Sequence, residues 1–249
     1  MATGDPEKLK GDVAVITGAG RNIGRKTAEL FAREGAKIAV VDVDEGRAAG
    51  IVELIKQAGG EAISVITDVT DENQVKHMVE SVENEWGPIS ILVNNVAISD
   101  HDGLFDLSVE TFDRVFAVNV RGTFLCTREV AKSMKKGGGG RIVNVSSTSA
   151  HRSRTDAPAY AASKAAIISF SRSMARILAP EIRVNTLSPT RTGSPVGEEE
   201  ERSGKVVDAI LVGRWGKPED QARAALFLAD PENGFITGSE LAVDGGSLV

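Results

Sequence analysis

Tyr160 and Lys164 stand four residues apart in the stretch Tyr160-Ala161-Ala162-Ser163-Lys164, and the Ala-rich continuation reads as helix, which puts phenol and ammonium on one face. An unperturbed tyrosine titrates near 10, so a neighbouring cation that favours phenolate is what fits it for proton transfer near neutral pH. Alone, the spacing is common and usually carries no chemistry. A second candidate lies near the start of the chain, where Thr17-Gly18-Ala19-Gly20-Arg21-Asn22-Ile23-Gly24 follows an apolar run and opens into a helical pattern. Glycines let the backbone come close to phosphates, and the free N–H groups of a helix start can hold a pyrophosphate. About 20 residues further on, Asp42 closes the next apolar run, where a carboxylate accepts from adenosine ribose hydroxyls and repels a 2′-phosphate. This favours NAD over NADP. Arg21 is the counter-signal, because a guanidinium there can pair with a 2′-phosphate or stand as a solvated turn residue.

These groups need a scaffold, and the pattern supplies one. Apolar runs rich in Val, Ile and Ala at Val13–Thr17, Lys37–Asp42, Ala62–Ile66, Ile89–Asn94, Arg141–Ser146, Arg183–Leu187 and Glu240–Val243 alternate with stretches of helical period, the first of them reaching about Glu34. Runs without a polar face, such as Val13-Ala14-Val15-Ile16, belong in a parallel sheet covered on both sides. The expectation is an α/β, doubly wound Rossmann-type fold of about seven parallel strands with helices on both faces, and one domain over residues 1–249. Gly137–Gly140 is a connector between a helix and a strand. Residues 190–213, with Gly193, Pro195, Gly197, Gly204 and the acidic run Glu198–Glu201, form a long loop of the kind that serves as a lid, before a helix starts near Pro218.

Composition narrows the partners. A formal net charge of −6 argues against a nucleic-acid binder that neutralises phosphates, and no apolar run approaches the roughly 18 residues of a membrane span. The charged, Gly- and Pro-containing start, Met1 to Asp12, lacks a signal-peptide core, so a soluble cytoplasmic protein is expected. Cys126, the single cysteine, lies in an apolar helical stretch and is expected in the core. His101 stands among Asp100, Asp102 and Gly103 in a polar loop that reads as a solvated rim rather than a metal site, and no metal is expected.

Taken together, and in their order along the chain, these motifs resemble the short-chain dehydrogenase/reductase family from Lys10 to the ending Val243-Asp244-Gly245-Gly246. The resemblance implies that the turn containing Gly18, Arg21, Asn22, Ile23 and Gly24 holds the cofactor, that Asp68 and Val69 meet its adenine, and that Asn94-Asn95-Val96-Ala97 steadies the central sheet, with Asn95 beside the cofactor. It also implies that Tyr160 transfers the proton of the substrate oxygen, Ser147 holds that oxygen, Lys164 lowers the tyrosine pKa and binds the nicotinamide ribose, and Asn119 supports a water-linked proton relay to Lys164. Pro189 and Thr192 fall on the nicotinamide side, Ser194 being the other hydroxyl that can meet its carboxamide. The implied activity is hydride transfer between a nicotinamide and a secondary alcohol or ketone. A 3-oxoacyl thioester reductase is the close variant, and a non-catalytic nucleotide-binding scaffold is the reading from another class, disfavoured because Asn119, Ser147, Tyr160 and Lys164 are all present. A homotetramer and a small-molecule substrate are implied by the resemblance alone.

Three positions depart from the family pattern. Asn22 stands where a glycine is usual, and Asn tolerates left-handed backbone better than most residues; Val96 and Ala97 replace Ala-Gly; Thr190 follows Pro189 where glycine is usual. Between Ser147 and Tyr160, His151, Arg152 and Arg154 face the pocket in this family. Two guanidiniums there either hold an anionic substrate group or form solvated pairs with Asp156 or with the lid acids.

Overall fold

The computed structural model describes residues 7–193 and 210–249. Its seven strands are β1 (Val13–Thr17), β2 (Lys37–Asp42), β3 (Ala62–Ile66), β4 (Ile91–Asn94), β5 (Gly140–Val145), β6 (Ile182–Pro189) and β7 (Glu240–Val243). All pairings are parallel, in the order β3-β2-β1-β4-β5-β6-β7. Because β1 lies between β2 and β4, the winding reverses there, and in such sheets a crevice opens at the carboxyl ends of the strands on either side of the reversal.

Alternation along the strands builds two cores. Val13, Val15, Ala39, Val41, Leu92, Ile142 and Val184 point to one face and Ala14, Ile16, Ile38, Val40, Ile91, Val93 and Val143 to the other. Helices α3 (Glu72–Trp86), α5 (Gly122–Lys136) and α6 (Pro158–Leu178) cover the first face with Val75, Met78, Val82, Leu125, Cys126, Val130 and Ala175. Helices α1 (Asn22–Arg33), α2 (Glu45–Gln57) and α7 (Pro218–Ala229) cover the second with Ala28, Phe31, Ala48, Ile51, Ile55 and Leu228. Cys126 packs in the core as expected, and burial pushes its thiol up to about 12, which leaves it unreactive near neutrality.

Polar ties through the first core fix α6 against the sheet. Asn94 Nδ2 donates to Thr127 Oγ1 at 3.1 Å and to Asn144 Oδ1 at 2.8 Å, and Asn144 Nδ2 donates to Ser171 Oγ at 2.8 Å. Each bond joins a strand end to a strand or helix beside it, and a buried amide left unpaired would cost about 1–3 kcal/mol. Helix α4 (Val109–Phe116) runs into α5 through a π-helical turn, Ala117–Arg121. Such turns widen a helix locally and gather at functional sites.

Helix starts differ in how they are capped. Asp44, Asp71 and Ser108 accept first-turn N–H groups of α2, α3 and α4. Arg21 and Ala157, at the starts of α1 and α6, give their helices no side-chain cap. Lys217, at the start of α7, gives none either. Among the described residues, no helix is long and apolar enough to cross a membrane.

Candidate active site

A cleft of about 1130 Å³ opens at the carboxyl ends of the strands, and Gly18, Arg21, Asn22, Ile23, Asp42, Asp68, Val69 and Asn95 all line it. The turn before α1 is shaped for close approach. Gly18 has φ +63° and Asn22 φ +48°, so the asparagine takes the left-handed backbone that Asn tolerates better than most residues. A Cβ on Gly24 would lie 2.2 Å from the Gly18 carbonyl oxygen, so only glycine lets the helix start fold back onto the turn. Asn95 closes the turn from β4: its Nδ2 donates to Thr17 O and Gly18 O, each at 3.1 Å. Gly24 is thus buried beneath the turn and supports the cleft from below rather than lining it.

Asp42 is only 8% exposed, and its carboxylate accepts from Gly20 N at 3.0 Å and Asp44 N at 3.1 Å. Two N–H donors leave acceptor capacity on both oxygens. Arg47, which sequence reasoning did not single out, lines the same end of the cleft and reaches Asp44 at 3.3 Å. Asp68 is exposed, with its Oδ1 accepting from Thr70, while Val69 is buried behind it. The exposed Asp68, the Asp42 carboxylate with acceptor capacity to spare and the uncapped start of α1 therefore line one cleft, and these residues fit a dinucleotide.

The lining of that cleft continues past Ala97 and Ile98 through Ala117, Val118 and Val120, the residues on either side of Asn119, while Asn119, Ser147, Tyr160 and Lys164 are not themselves part of it. Asn119 lies inside the π-helical turn and is fully buried; its Oδ1 accepts from Ile98 N at 2.9 Å and its Nδ2 donates to Ile98 O and Ser163 Oγ, each at 2.9 Å. Ser163 Oγ in turn donates to Tyr160 O at 2.7 Å. Ser147 ends the segment after β5, next to the Tyr160 phenol. Burial raises the phenol above its ordinary value, while the Ser147 hydroxyl and the Arg154 guanidinium pull it back down. Lys164 Nζ lies 5.5 Å from the Tyr160 ring centroid and donates to Val145 O at 2.8 Å, and burial lowers its ammonium to about 7. Arg154 is thus a second cation near the phenol, beside the Lys164 to which the sequence pointed.

The chain belongs to the short-chain dehydrogenase/reductase family. A family model described as enoyl-(acyl carrier protein) reductase matches residues 18–247. An uncharacterized oxidoreductase of Thermotoga maritima is 38% identical over 97% of this chain and 97% of its own length. A 3-oxoacyl-[acyl-carrier-protein] reductase of the same organism is 36% identical over 97% of this chain and 100% of its own. The crystal structure of a short-chain type dehydrogenase/reductase from Mycobacterium marinum superposes with a TM-score of 0.91 at 33% identity, covering 99% of each chain. The protein is thus an oxidoreductase of a family that generally uses NAD or NADP.

In this short-chain dehydrogenase/reductase the remaining candidate side chains have partners of their own. Thr192 Oγ1 donates to Thr190 O at 2.8 Å and accepts from Gln221 Nε2 at 3.2 Å, so its hydroxyl is engaged within the protein; Ser194 and the Glu198–Glu201 run lie outside the described residues. Pro189 ends β6, paired with Val243 of β7. His151 Nε2 meets Glu240 Oε1 at 2.6 Å, and Arg154 forms a fork with Asp156 at 2.9 and 3.1 Å, which is the solvated-pair alternative rather than a ready anion site. Asp100 is the clearest correction. It is not a solvated rim residue but is 2% exposed, with Oδ2 accepting from Ala159 N at 3.0 Å and Oδ1 from Tyr160 N at 2.8 Å. The polar run around His101 masked it, and Ala157 as a helix start without a capping side chain was the signal that an acceptor comes from elsewhere.

Proposed function

We propose that this protein is an NAD-dependent oxidoreductase that moves hydride between a nicotinamide and a secondary alcohol or ketone, with Tyr160 as acid/base. The observation that carries the reading is the meeting of Ser147 with the Tyr160 phenol, one helical turn from Lys164, in a chain whose cofactor-turn residues line one large cleft. A bound nicotinamide dinucleotide supplies the hydride chemistry. Gly18, Asn22, Ile23 and the uncapped start of α1 take the pyrophosphate, Asp42 takes the adenosine ribose, and Asp68 and Val69 flank the adenine.

In this reading Ser147 donates to the substrate oxygen and orients it, and Tyr160 gives or takes that oxygen's proton. Arg154 pulls the phenol toward the phenolate form needed for alcohol oxidation, and Lys164, 5.5 Å from the ring centroid, is the cation assigned to the nicotinamide ribose and to the same phenol. Asn119 holds the loop and helix between which the proton leaves toward Lys164. Pro189 and Thr192 border the nicotinamide side; most of the expected lid, residues 190–213, lies outside the described residues. NAD is favoured because the Asp42 carboxylate, already buried at the cleft end, would be forced against a 2′-phosphate; Arg21 and Arg47 are the groups that would favour NADP. The 36% identical 3-oxoacyl-[acyl-carrier-protein] reductase of Thermotoga maritima keeps a thioester substrate as the second reading. A single chain-length domain, assembly as a homotetramer and a cytoplasmic setting belong to the same proposal; molar mass in solution checks the assembly.

The decisive variant is Tyr160→Phe, which keeps the ring and removes only the transferable proton. Turnover on whichever alcohol or ketone a substrate panel identifies should fall by about 10²-fold or more, with NADH affinity unchanged. Retention of more than about a tenth of kcat would remove Tyr160 from the role.

A further inference from the structure

Helix α6 begins with a local deficit. Ala157, at the cap position, has no side-chain acceptor, and Pro158 has no N–H. Ala161 N already donates to Ala157 O at 3.1 Å, which leaves the N–H groups of Ala159 and Tyr160 as the first-turn donors in need of a partner. Asp156, the nearest acid in sequence, is turned instead to Arg154, which it meets with both oxygens. The partner is Asp100, from the loop after β4, which gives one carboxylate oxygen to each donor.

A buried carboxylate is a costly cap, because taking it out of water offsets much of what its hydrogen bonds return. A serine at position 157 would serve the helix alone at lower cost. What the distant acid adds is a connection. Asp100 is two residues after Ile98, whose peptide Asn119 grips on both its N–H and its C=O, and Asn119 continues to Ser163 and from there to the carbonyl of Tyr160. The N–H and the C=O of Tyr160 are therefore both held by side chains tied to the same loop, the loop whose Ala97 and Ile98 line the cleft.

We propose that Asp100 is a positioning residue for Tyr160, a carboxylate that sets the height of the phenol against the cleft wall by binding the backbone N–H of Tyr160 itself. The inference rests on the acid/base reading of Tyr160. It differs from simple helix capping in one consequence: a local cap restores the helix but not the tie to the loop.

The test uses Asp100→Ala, the double variant Asp100→Ala with Ala157→Ser, and Tyr160→Phe as the reference. Misplacement of about 1 Å in a reacting group costs on the order of 10²-fold, so kcat of Asp100→Ala should fall at least tenfold while NADH affinity stays within about threefold of wild type. Thermal stability falls with it, and Ala157→Ser should restore stability without restoring kcat. Tyr160 is the single tyrosine of the chain, so its near-ultraviolet phenolate absorbance gives a readout independent of turnover. Its midpoint should move down toward the ordinary tyrosine value in Asp100→Ala, as the ring gains water, and stay there in the double variant. Should Asp100→Ala fail to fold, Asp100→Asn, which keeps one acceptor, is read by the same two measurements. Wild-type kcat in the single variant, or recovery of both kcat and the phenol midpoint with Ala157→Ser, overturns the inference. A Tyr160→Phe enzyme that still turns over points instead to a failure of the acid/base assignment.

Discussion

Two glycines in two helices make the sharpest test of the cofactor turn, because helix propensity treats them alike and packing does not. Replacement of a helical glycine by alanine gains about 1 kcal/mol from propensity. At Gly50, on the exposed side of α2, a Cβ meets nothing within 4 Å, so Gly50→Ala should keep that gain and stabilise the protein. At Gly24 the same Cβ falls 2.2 Å from Gly18 O, a backbone atom that cannot step aside, and 2.7 Å from Asn95 Nδ2. Overpacking of this kind costs about 1–3 kcal/mol. The displaced Asn95 amide also gives up its bonds to Thr17 O and Gly18 O, at about 1 kcal/mol each. After the propensity gain is deducted, Gly24→Ala should lose about 2–4 kcal/mol, which for a chain of this size lowers Tm by roughly 5–15 °C. Urea denaturation of both variants measures the difference, and fluorescence titration with NADH measures the turn, where a tenfold loss corresponds to about 1.4 kcal/mol. If Gly24→Ala matched Gly50→Ala in stability and bound NADH like the wild type, the close approach of α1 to the turn would not be what holds the cradle together.

Asp42→Ala should narrow the preference for NAD over NADP in kcat/KM, chiefly by weakening NAD binding; a wild type that prefers NADP would show that Arg21 and Arg47 outweigh the carboxylate. Arg154→Gln removes a cation that pulls the Tyr160 phenol down, so the phenolate absorbance midpoint, and with it the alkaline-going limb of alcohol oxidation, should move to higher pH; a shift to lower pH would contradict the assigned charge effect. Lys164 has its ordinary value of 10.5 lowered to about 7 by burial, so between these values the unfolded chain binds more protons than the folded one, and the residue's penalty on folding grows as pH falls through that window. Lys164→Met should therefore abolish turnover yet raise folding stability, most at and below pH 7 and progressively less toward pH 10.5, less whatever the lost bond to Val145 O contributed; denaturation curves across pH that showed the opposite trend would mean the ammonium is compensated in the fold.

Features written in local runs of sequence were legible, and features written across the chain were not. Strands β1, β2, β3 and β7 stand where the apolar runs placed them, because each run is bounded by turn or charged residues. Strand β4 begins at Ile91 rather than Ile89, and β6 extends to Pro189, since those limits depend on which neighbour is paired: the last pair of β6 is Pro189 with Val243. The left-handed backbone of Asn22 could be anticipated because it depends on one residue in one turn. Asp100 could not, because its partners are 59 and 60 residues away and the surrounding Asp-His-Asp-Gly run has the composition of a solvated loop. Ser163, which links Asn119 to Tyr160, was hidden inside the Tyr-to-Lys spacing for the same reason.

One sign of these long-range contacts was nevertheless present in the linear chain. Acceptors precede α2, α3 and α4 as Asp44, Asp71 and Ser108, whereas Arg21, Ala157 and Lys217 precede α1, α6 and α7. The first turn of any helix has N–H groups that need acceptors, so a helix without a capping side chain leaves those donors open to a group outside the helix. For α6 that group is Asp100, and the consequence is a catalytic candidate whose backbone is held by the cleft wall. For α1 the proposed occupant is a pyrophosphate, an acceptor that the chain itself does not encode, and a side-chain cap placed at Arg21 would compete with it for the same N–H groups. Arg21→Asp should accordingly weaken NADH binding more than Arg21→Ala does, through occupied donors and added negative charge together, and equal affinities for the two variants would show that the start of α1 does not carry the phosphates.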